Sequence, residues 1–305
     1  VLFLGEGDQV KELIKFFKDN PELKYQSVGV VEDKAGANKD VLERIEKGGV
    51  SLVVVRSSSK LDIFSVLATG ITTIDLEEFY ERLLNKVSPE MLDDTWFIKN
   101  LENINLEAYK FGKKVMDVIV GIFGILVLIV LFIPISLAIA LDSRGPIIFS
   151  QERVGRGGKL FRIYKFRTMK ALSSDGSAEI KGARWAKADD KRITRVGRFL
   201  RDTRADELPQ FWNILKGNLS FVGPRPERPE FVEKLQKEIP HYNMRHLVKP
   251  GLTGWAQINY EYGDSVKDAL IKLQYDIYYA KKRSLILDMA ILLKTMKVIF
   301  TRQGQ

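Results

Sequence analysis

Asp206 and Glu207 stand side by side in a run rich in arginine. Arg198, Arg201 and Arg204 precede them at three-residue intervals, and Pro209 follows. Residues three apart on a helix lie near one face, so this spacing predicts guanidinium groups gathered beside two carboxylates. Arg225 sits in Gly223-Pro224-Arg225-Pro226, a turn whose prolines hold a guanidinium still at little entropic cost. Together these side chains suit a diphosphate: arginines for its oxygens, one carboxylate for Mg²⁺, and a second as nucleophile or base. The pair also has a plainer reading, as the acidic first turn of a helix over residues 205–216 with Thr203 as its cap. Other chemistries are excluded by composition. There is no cysteine, so disulfides, thiolate zinc sites and Cys nucleophiles are ruled out. With His241 and His246 as the two histidines, a His-rich metal site is ruled out as well. Any general base is one of these two, a carboxylate or a lysine.

The elements that must position these groups divide by charge. Residues 1–111 carry 14 Lys and Arg against 20 Asp and Glu, a net of −6. Residues 144–204 carry 17 against 6, a net of +11, and a basic block of that size seeks phosphate. Between them, Val118 to Leu141 has no charged residue over 24 positions. As a helix it is about 36 Å long, enough for a hydrocarbon core of about 30 Å. A soluble core helix is rarely apolar all round for such a length. Pro134 lies inside the segment and removes a backbone donor. Lys113 and Lys114 precede the segment, and Arg144, Arg153 and Arg156 follow it. Basic flanks on both sides fit a helix that enters, bends at Pro134 and leaves by the same face. A simple span remains the alternative.

Residues 1–96 alternate strands and helices: Val1–Leu4, a helix with Val10, Leu13, Ile14 and Phe17 on one face, then Tyr25–Val31, Leu42–Glu46, Ser51–Val55 and Ile71–Ile74. The succession predicts an α/β domain with a parallel sheet. Gly5-Glu6-Gly7 resembles a dinucleotide fingerprint, but Val10 occupies the third glycine position. A tight strand-to-helix turn without a cofactor is the better reading. Residues 97–111 read as a polar connector. The chain opens on Val1 within a strand-like run, which predicts that more sequence precedes it. Residues 142–305 read as a mixed α/β segment. It has a Gly155–Gly158 loop, a strand over Leu160–Phe166, a second rigid turn at Lys249–Trp255 and an amphipathic helix over 265–283. The apolar stretch Leu285–Phe300 carries Lys294 and Lys297 on one side, which suits lying on a membrane. The aromatic residues form no platform of the kind that stacks nucleic-acid bases, so a nucleic-acid partner is not expected. A membrane-anchored sensor built on the first domain is the remaining non-enzymatic reading.

Five ordered motifs identify a family. They are Lys165-Phe166-Arg167-Thr168-Met169, Asp206-Glu207-Leu208-Pro209-Gln210, Asn213-Ile214-Leu215-Lys216-Gly217, Ser220-Phe221-Val222-Gly223-Pro224-Arg225-Pro226, and Lys249-Pro250-Gly251-Leu252-Thr253-Gly254-Trp255-Ala256-Gln257. Over roughly residues 112–300 the chain resembles the bacterial sugar transferases, the monotopic phosphoglycosyl transferases. Its front part resembles the Rossmann-like non-catalytic domain of the larger members. The resemblance implies domains at 1–96 (Rossmann-like), 112–141 (a re-entrant membrane helix bent at Pro134) and 142–305 (catalytic), with 97–111 as connector. It implies transfer of a sugar-1-phosphate from a UDP-sugar to undecaprenyl phosphate, with UMP released, at the cytoplasmic face of the bacterial inner membrane, initiating glycan assembly. It implies that Asp206 is the nucleophile and Mg²⁺ ligand, Glu207 its dyad partner, and Arg201, Arg225, Lys165 and Arg167 substrate-binding cations. The family's Ser-Pro step at the bend is Ile133-Pro134 here, with serine only at 136. The first domain is expected to serve assembly or regulation, a homodimer being one form of it. The stretch Tyr260–Ser265 is a candidate for choosing the sugar.

Overall fold

The computed structural model describes the chain except residues 35–36, 57–61, 90–91, 102–106, 174–176, 179–189, 261–262, 264 and 302–305. It divides into two compact units, Val1–Met91 and Leu92–Gln305.

The first unit is a four-stranded parallel sheet in the order β2-β1-β3-β4, with β1 Leu2–Leu4, β2 Gly29–Val31, β3 Leu52–Val55 and β4 Thr72–Asp75. Register is fixed by pairs such as Phe3 with Val30 and with Val54. Helices α1 (Asp8–Asp19), α2 (Ala37–Glu46), α3 (Ile63–Leu67) and α4 (Leu76–Leu84) connect or follow the strands. Because side chains alternate along a strand, the sheet buries two apolar faces. Phe3 and Val54 pack with Val10, Leu13 and Phe17 of α1 and Phe79 and Tyr80 of α4. Leu2, Leu4 and Val53 pack with Val41 of α2 and Val66 of α3 on the other face. The helical period of α1 is borne out, with Val10, Leu13 and Phe17 buried. Gly5 has φ +96°, and its N–H continues the β1–β2 ladder by donating to Val31 O at 2.8 Å. The Gly-Glu-Gly turn thus carries the chain from strand to helix.

In the second unit, the stretch expected to be a polar connector is partly helical. α5 (Asp94–Leu101) buries Trp96 and Phe97, and the Phe97 ring lies 5.2 Å from that of His241. α6 runs from Glu107 to Asp142, 36 residues, and continues through Pro134. At about 1.5 Å per residue, that is about 54 Å of helix. It is the one described helix long and apolar enough to cross a membrane. Phe123, Val130, Ile133 and Leu141 are all at least 67% exposed, so its outer surface needs an apolar environment.

The opposite side of α6 carries the rest of the unit. A Cβ on Gly124 would stand 2.2 Å from the Phe211 ring, and one on Gly121 2.6 Å from Leu215. These glycines let α8 (Phe211–Leu215) approach the helix backbone, which outweighs the roughly 1 kcal/mol that glycine costs a helix. Antiparallel strands β5 (Ile148–Val154) and β6 (Leu160–Phe166) form the hairpin legible in the alternation of residues 160–166. α7 (Arg195–Asp202) is capped by Thr194, whose hydroxyl accepts from Gly197 N.

Two sequence expectations need correction here. Residues 205–216 are not one helix: Ala205–Gln210 is a 3₁₀ segment, and α8 follows it. Thr203 caps no acidic first turn. It closes α7, with its hydroxyl bonded to Phe199 O at 2.9 Å.

The remaining elements complete the platform. β7 (Ser220–Val222) pairs in parallel with β8 (Gly251–Thr253), so the expected turn at Lys249–Trp255 contains a strand. Gly223, Gly251 and Gly254 meet there backbone to backbone, and a Cβ on any of them would come within 2.3 Å of a main-chain atom. α9 (Pro229–Glu238), α10 (Trp255–Asn259), α11 (Val266–Lys282) and α12 (Leu285–Thr301) follow. α11 opens with a reciprocal Ser265–Asp268 capping box. α12 buries Asp288 and Ile291 while exposing Ile286, Met289, Leu293 and Met296. Of the stretch expected to choose a sugar, Glu261, Tyr262 and Asp264 lie outside the described residues.

Candidate active site

The acidic pair is held by a short tight segment. Arg204 adopts φ +56°, a left-handed conformation that turns the chain sharply out of α7 and starts the 3₁₀ turn. Its carbonyl accepts from Glu207 N at 3.1 Å. This turn breaks the arginine face predicted from the spacing, because Arg204 lies beyond the last residue of α7. Pro209 and Gln210 are buried below the pair, and Asp206 and Glu207 are each 7% exposed.

β6 delivers the first cation. Lys165 Nζ lies 2.7 Å from Glu207 Oε1 and 3.9 Å from Asp206 Oδ2. Arg225 reaches the same Glu207 oxygen from the Pro-flanked turn after β7, at 3.2 Å. Asn213 fixes β6 against α8. Fully buried, it donates to Arg162 O at 2.7 Å and accepts from Tyr164 N at 3.2 Å. The Asn213 motif was visible in the sequence, but this clamp was not.

Electrostatics separate the two carboxyls. Burial pushes Asp206 above the ordinary carboxylate range; Lys165 opposes this, the charge of Glu207 adds to it, and Arg201 and Arg204 oppose it. Burial also works against the charged form of Glu207, but Lys165 and Arg225 outweigh it and hold that carboxyl well below its usual range. Glu207 therefore stays ionised and keeps the two cations in place, while Asp206 is the more easily neutralised partner.

Arg201, whose charge acts on Asp206, is tied by Nε to Thr168 Oγ1 at 2.9 Å. Arg167 is placed elsewhere. It is 2% exposed, and its guanidinium donates to Ser143 O at 2.7 Å, Arg144 O at 2.6 Å and Ser143 Oγ at 3.0 Å. It closes the C-terminal end of α6, where free carbonyls attract a cation. The structure thus sets Lys165 and Arg225 on the pair, leaves Arg201 acting on Asp206 through its charge, and gives Arg167 a helix-closing role. Pro134 sits within α6, between the exposed Ile133 and Ile135, which packs toward Phe166 and Leu200.

Sequence reasoning missed two buried polar clusters behind the site. In one, Lys113 of α6 donates to Val222 O at 2.8 Å and to Asp288 Oδ2 at 3.0 Å, and Tyr279 donates to Asp288 Oδ1 at 2.7 Å. Asp117 of α6 accepts from Ser220 Oγ at 2.8 Å and Phe221 N at 2.9 Å. In the other, Arg245 stands among Tyr242, Asp276 and the Arg225 carbonyl. Asp288, the single acid in the apolar stretch Leu285–Phe300, was the available signal, since such a group is costly without partners.

No group of three or more His, Asp or Glu suited to a metal occurs among the described residues. Mg²⁺ commonly takes one or two carboxylates and completes its shell with waters and substrate phosphates. Asp206 fits that kind of ligand set, because Glu207 is already neutralised by Lys165 and Arg225.

Fold and site define a class: an α/β protein whose buried carboxylate–cation centre is built against a long apolar helix. The chain belongs to the bacterial sugar transferase family, whose model matches residues 108–302. It is 45% identical over 196 residues, 64% of its length, to UDP-N-acetylgalactosamine-undecaprenyl-phosphate N-acetylgalactosaminephosphotransferase of Aeromonas hydrophila. Over an alignment covering 93% of its length, it is 32% identical to UDP-glucose:undecaprenyl-phosphate glucose-1-phosphate transferase of Escherichia coli (strain K12). It is 38% identical over 212 residues, 66% of its length, to undecaprenyl-phosphate galactose phosphotransferase of Salmonella typhimurium. The chain spans 45%, 64% and 43% of these relatives' own lengths.

Proposed function

We propose that this protein transfers a sugar-1-phosphate from a UDP-sugar to undecaprenyl phosphate at the cytoplasmic face of a bacterial inner membrane, as the first step of glycan assembly. The observation that carries the proposal is the buried Asp206–Glu207 pair, met by Lys165 and Arg225 on a body anchored to α6. An Asp206 carboxylate oxygen bonds to the sugar-bearing phosphorus while the phosphoanhydride bond to UMP breaks. A phosphate oxygen of the lipid then bonds to that phosphorus, and the Asp206–phosphorus bond breaks to restore the carboxylate. One phosphoanhydride replaces another, so the reaction is nearly balanced and the site's task is charge neutralisation. Arg225, Lys165 and Arg201 bind the diphosphate oxygens, and Glu207 keeps the first two cations aligned. Bound Mg²⁺, held by Asp206 and the substrate, would supply further neutralisation at the diphosphate. The relative at 45% identity is named for an N-acetylgalactosamine transfer, which makes UDP-N-acetylgalactosamine the first donor to test. Detergent-solubilised protein should release UMP from one member of a UDP-sugar panel, and only with intact Asp206. Silence across the whole panel, with undecaprenyl phosphate present, rejects the proposal.

The re-entrant reading of α6 draws support from its two ends. Lys113 and Asp117 bond to β7, while Asp142 accepts from Val196 N of α7 at 2.9 Å. A straight span would place these partners of one compact unit on opposite sides of about 30 Å of hydrocarbon. The chain lacks native cysteine, so single cysteines can report sidedness. Lys11→Cys and Lys237→Cys, both at exposed positions, should resist an impermeant reagent in right-side-out cells and react in inverted vesicles. Opposite labelling of the two sites would establish a span. The first unit is proposed to serve assembly or regulation rather than chemistry.

A further inference from the structure

Arg245 is 5% exposed and Asp276, on α11, is 1% exposed. Their Nη2 and Oδ2 atoms lie 2.9 Å apart. Arg245 Nη1 donates to the hydroxyl of the buried Tyr242 at 2.6 Å. Arg245 Nη2 also donates to Arg225 O, the main-chain carbonyl of the arginine that reaches Glu207, at 2.9 Å. The next carbonyl, Pro226 O, accepts from Arg153 Nη1 at 3.1 Å, and Glu227 O accepts from Val154 N at 2.9 Å. Three consecutive carbonyls, the last two of the turn and the one after it, are therefore tied to donors from outside it.

A buried ion pair is a weak source of stability, because desolvation offsets most of the attraction. The pair is costly to bury, and the same Nη2 that faces Asp276 also bonds one carbonyl of a turn that prolines already restrict. We infer that Arg245, held by Asp276 and Tyr242, is a positioning residue that fixes where the Arg225 guanidinium stands. This inference rests on the phosphate-binding role proposed for Arg225. A guanidinium must match two phosphate oxygens at once, so a small displacement of its main chain is expensive. Arg245 bonds Tyr242, Asp276 and the Arg225 carbonyl rather than Asp206 or Glu207. Its effect passes through Arg225.

The test is a double-mutant cycle. Arg245→Met combined with Asp276→Leu removes both charges and keeps the volume apolar, a replacement that buried ion pairs often tolerate. Arg245→Lys, which keeps a charge beside Asp276, serves as the milder variant. In the Arg225 background, UMP release should fall roughly 10- to 100-fold with the thermal midpoint preserved. In an Arg225→Ala background, the same replacement should cost less than about twofold, because the group it positions is gone. Calorimetric titration with inorganic diphosphate gives a second readout that does not need turnover. Affinity should weaken with Arg245→Lys in the Arg225 background and stay level in Arg225→Ala. Equal losses in both backgrounds mean a merely structural role and overturn the inference, as does unchanged diphosphate affinity in a folded Arg245→Lys protein. Wild-type protein that binds diphosphate but releases no UMP overturns the proposed reaction instead, and the titration alone then decides the role of Arg245.

Discussion

The two units of this chain bury different things. In Val1–Met91 the sheet faces are filled by Phe3, Leu4, Val10, Leu13, Val53 and Val54, and Lys86, itself buried, pairs with the half-exposed Glu12. In Leu92–Gln305, Asp117, Arg167, Asp206, Glu207, Arg245, Asp276 and Asp288 are all buried. An apolar interior stabilises a fold with no further requirement. Buried charge costs several kcal/mol per ion before partners offset it, so it persists where it has a task. The first unit buries Glu81 as well as Lys86, so the contrast is one of degree; the proposed function places the chemistry in the second unit, and each prediction below sharpens or breaks that placement.

The largest effect is expected at the acidic pair. Asp206→Asn should lower UMP release at least 10³-fold, on the scale of removing a nucleophile, with an unchanged thermal midpoint. Glu207→Gln should be severe but smaller, because Lys165 and Arg225 lose their shared anchor. Arg225→Lys comes next. A lysine cannot reproduce a bidentate fork, so kcat/KM should drop roughly 10- to 100-fold. A near-normal rate would return Arg225 to a structural role.

Deleting the first unit should have a modest effect. The cut belongs after Met91 rather than at residue 96, because Trp96 and Phe97 are buried within the second unit. Protein starting at Leu92 should keep turnover within about threefold, on the rule that units with their own cores fold alone. A well-folded truncation without activity would break the contrast.

The smallest effect concerns pH. Burial, helped by the neighbouring Arg245, lowers His246 to about 4. The unfolded chain takes up that proton near pH 6.5, whereas the folded chain waits until about 4. Stability from this group is therefore full above 6.5 and is lost as pH falls through that window, on the order of 3 kcal/mol. His246→Gln should lose less thermal stability than wild type between pH 7 and 4.5. An identical decline in both proteins would show that His246 is not buried as a neutral ring.

What the sequence revealed follows from range. The strand at Leu160–Phe166 and the helix of α1 were legible because their signal is a local period. The strand Gly251–Thr253 was read as a turn because its partner, Ser220–Val222, lies some thirty residues away and only three residues pair. The pair at Asp206–Glu207 was legible from composition and motif. The arginine face was misdrawn, since a spacing of three assumes a helix that Arg204 ends with its left-handed backbone. Arg167 carried the right chemistry for a phosphate but bonds the end of α6, which spacing cannot reveal. The Lys113–Asp288 contact joins residues 175 apart, beyond any local pattern.

Covalent capture at Asp206 tests the central claim most directly. Wild-type protein, incubated with a UDP-sugar labelled in the sugar-bearing phosphate and with no lipid acceptor, should retain label through denaturation. Undecaprenyl phosphate should chase that label into lipid, and Asp206→Asn should take up none. Label on the Asp206→Asn protein, or an active wild type that never retains label, would contradict the account.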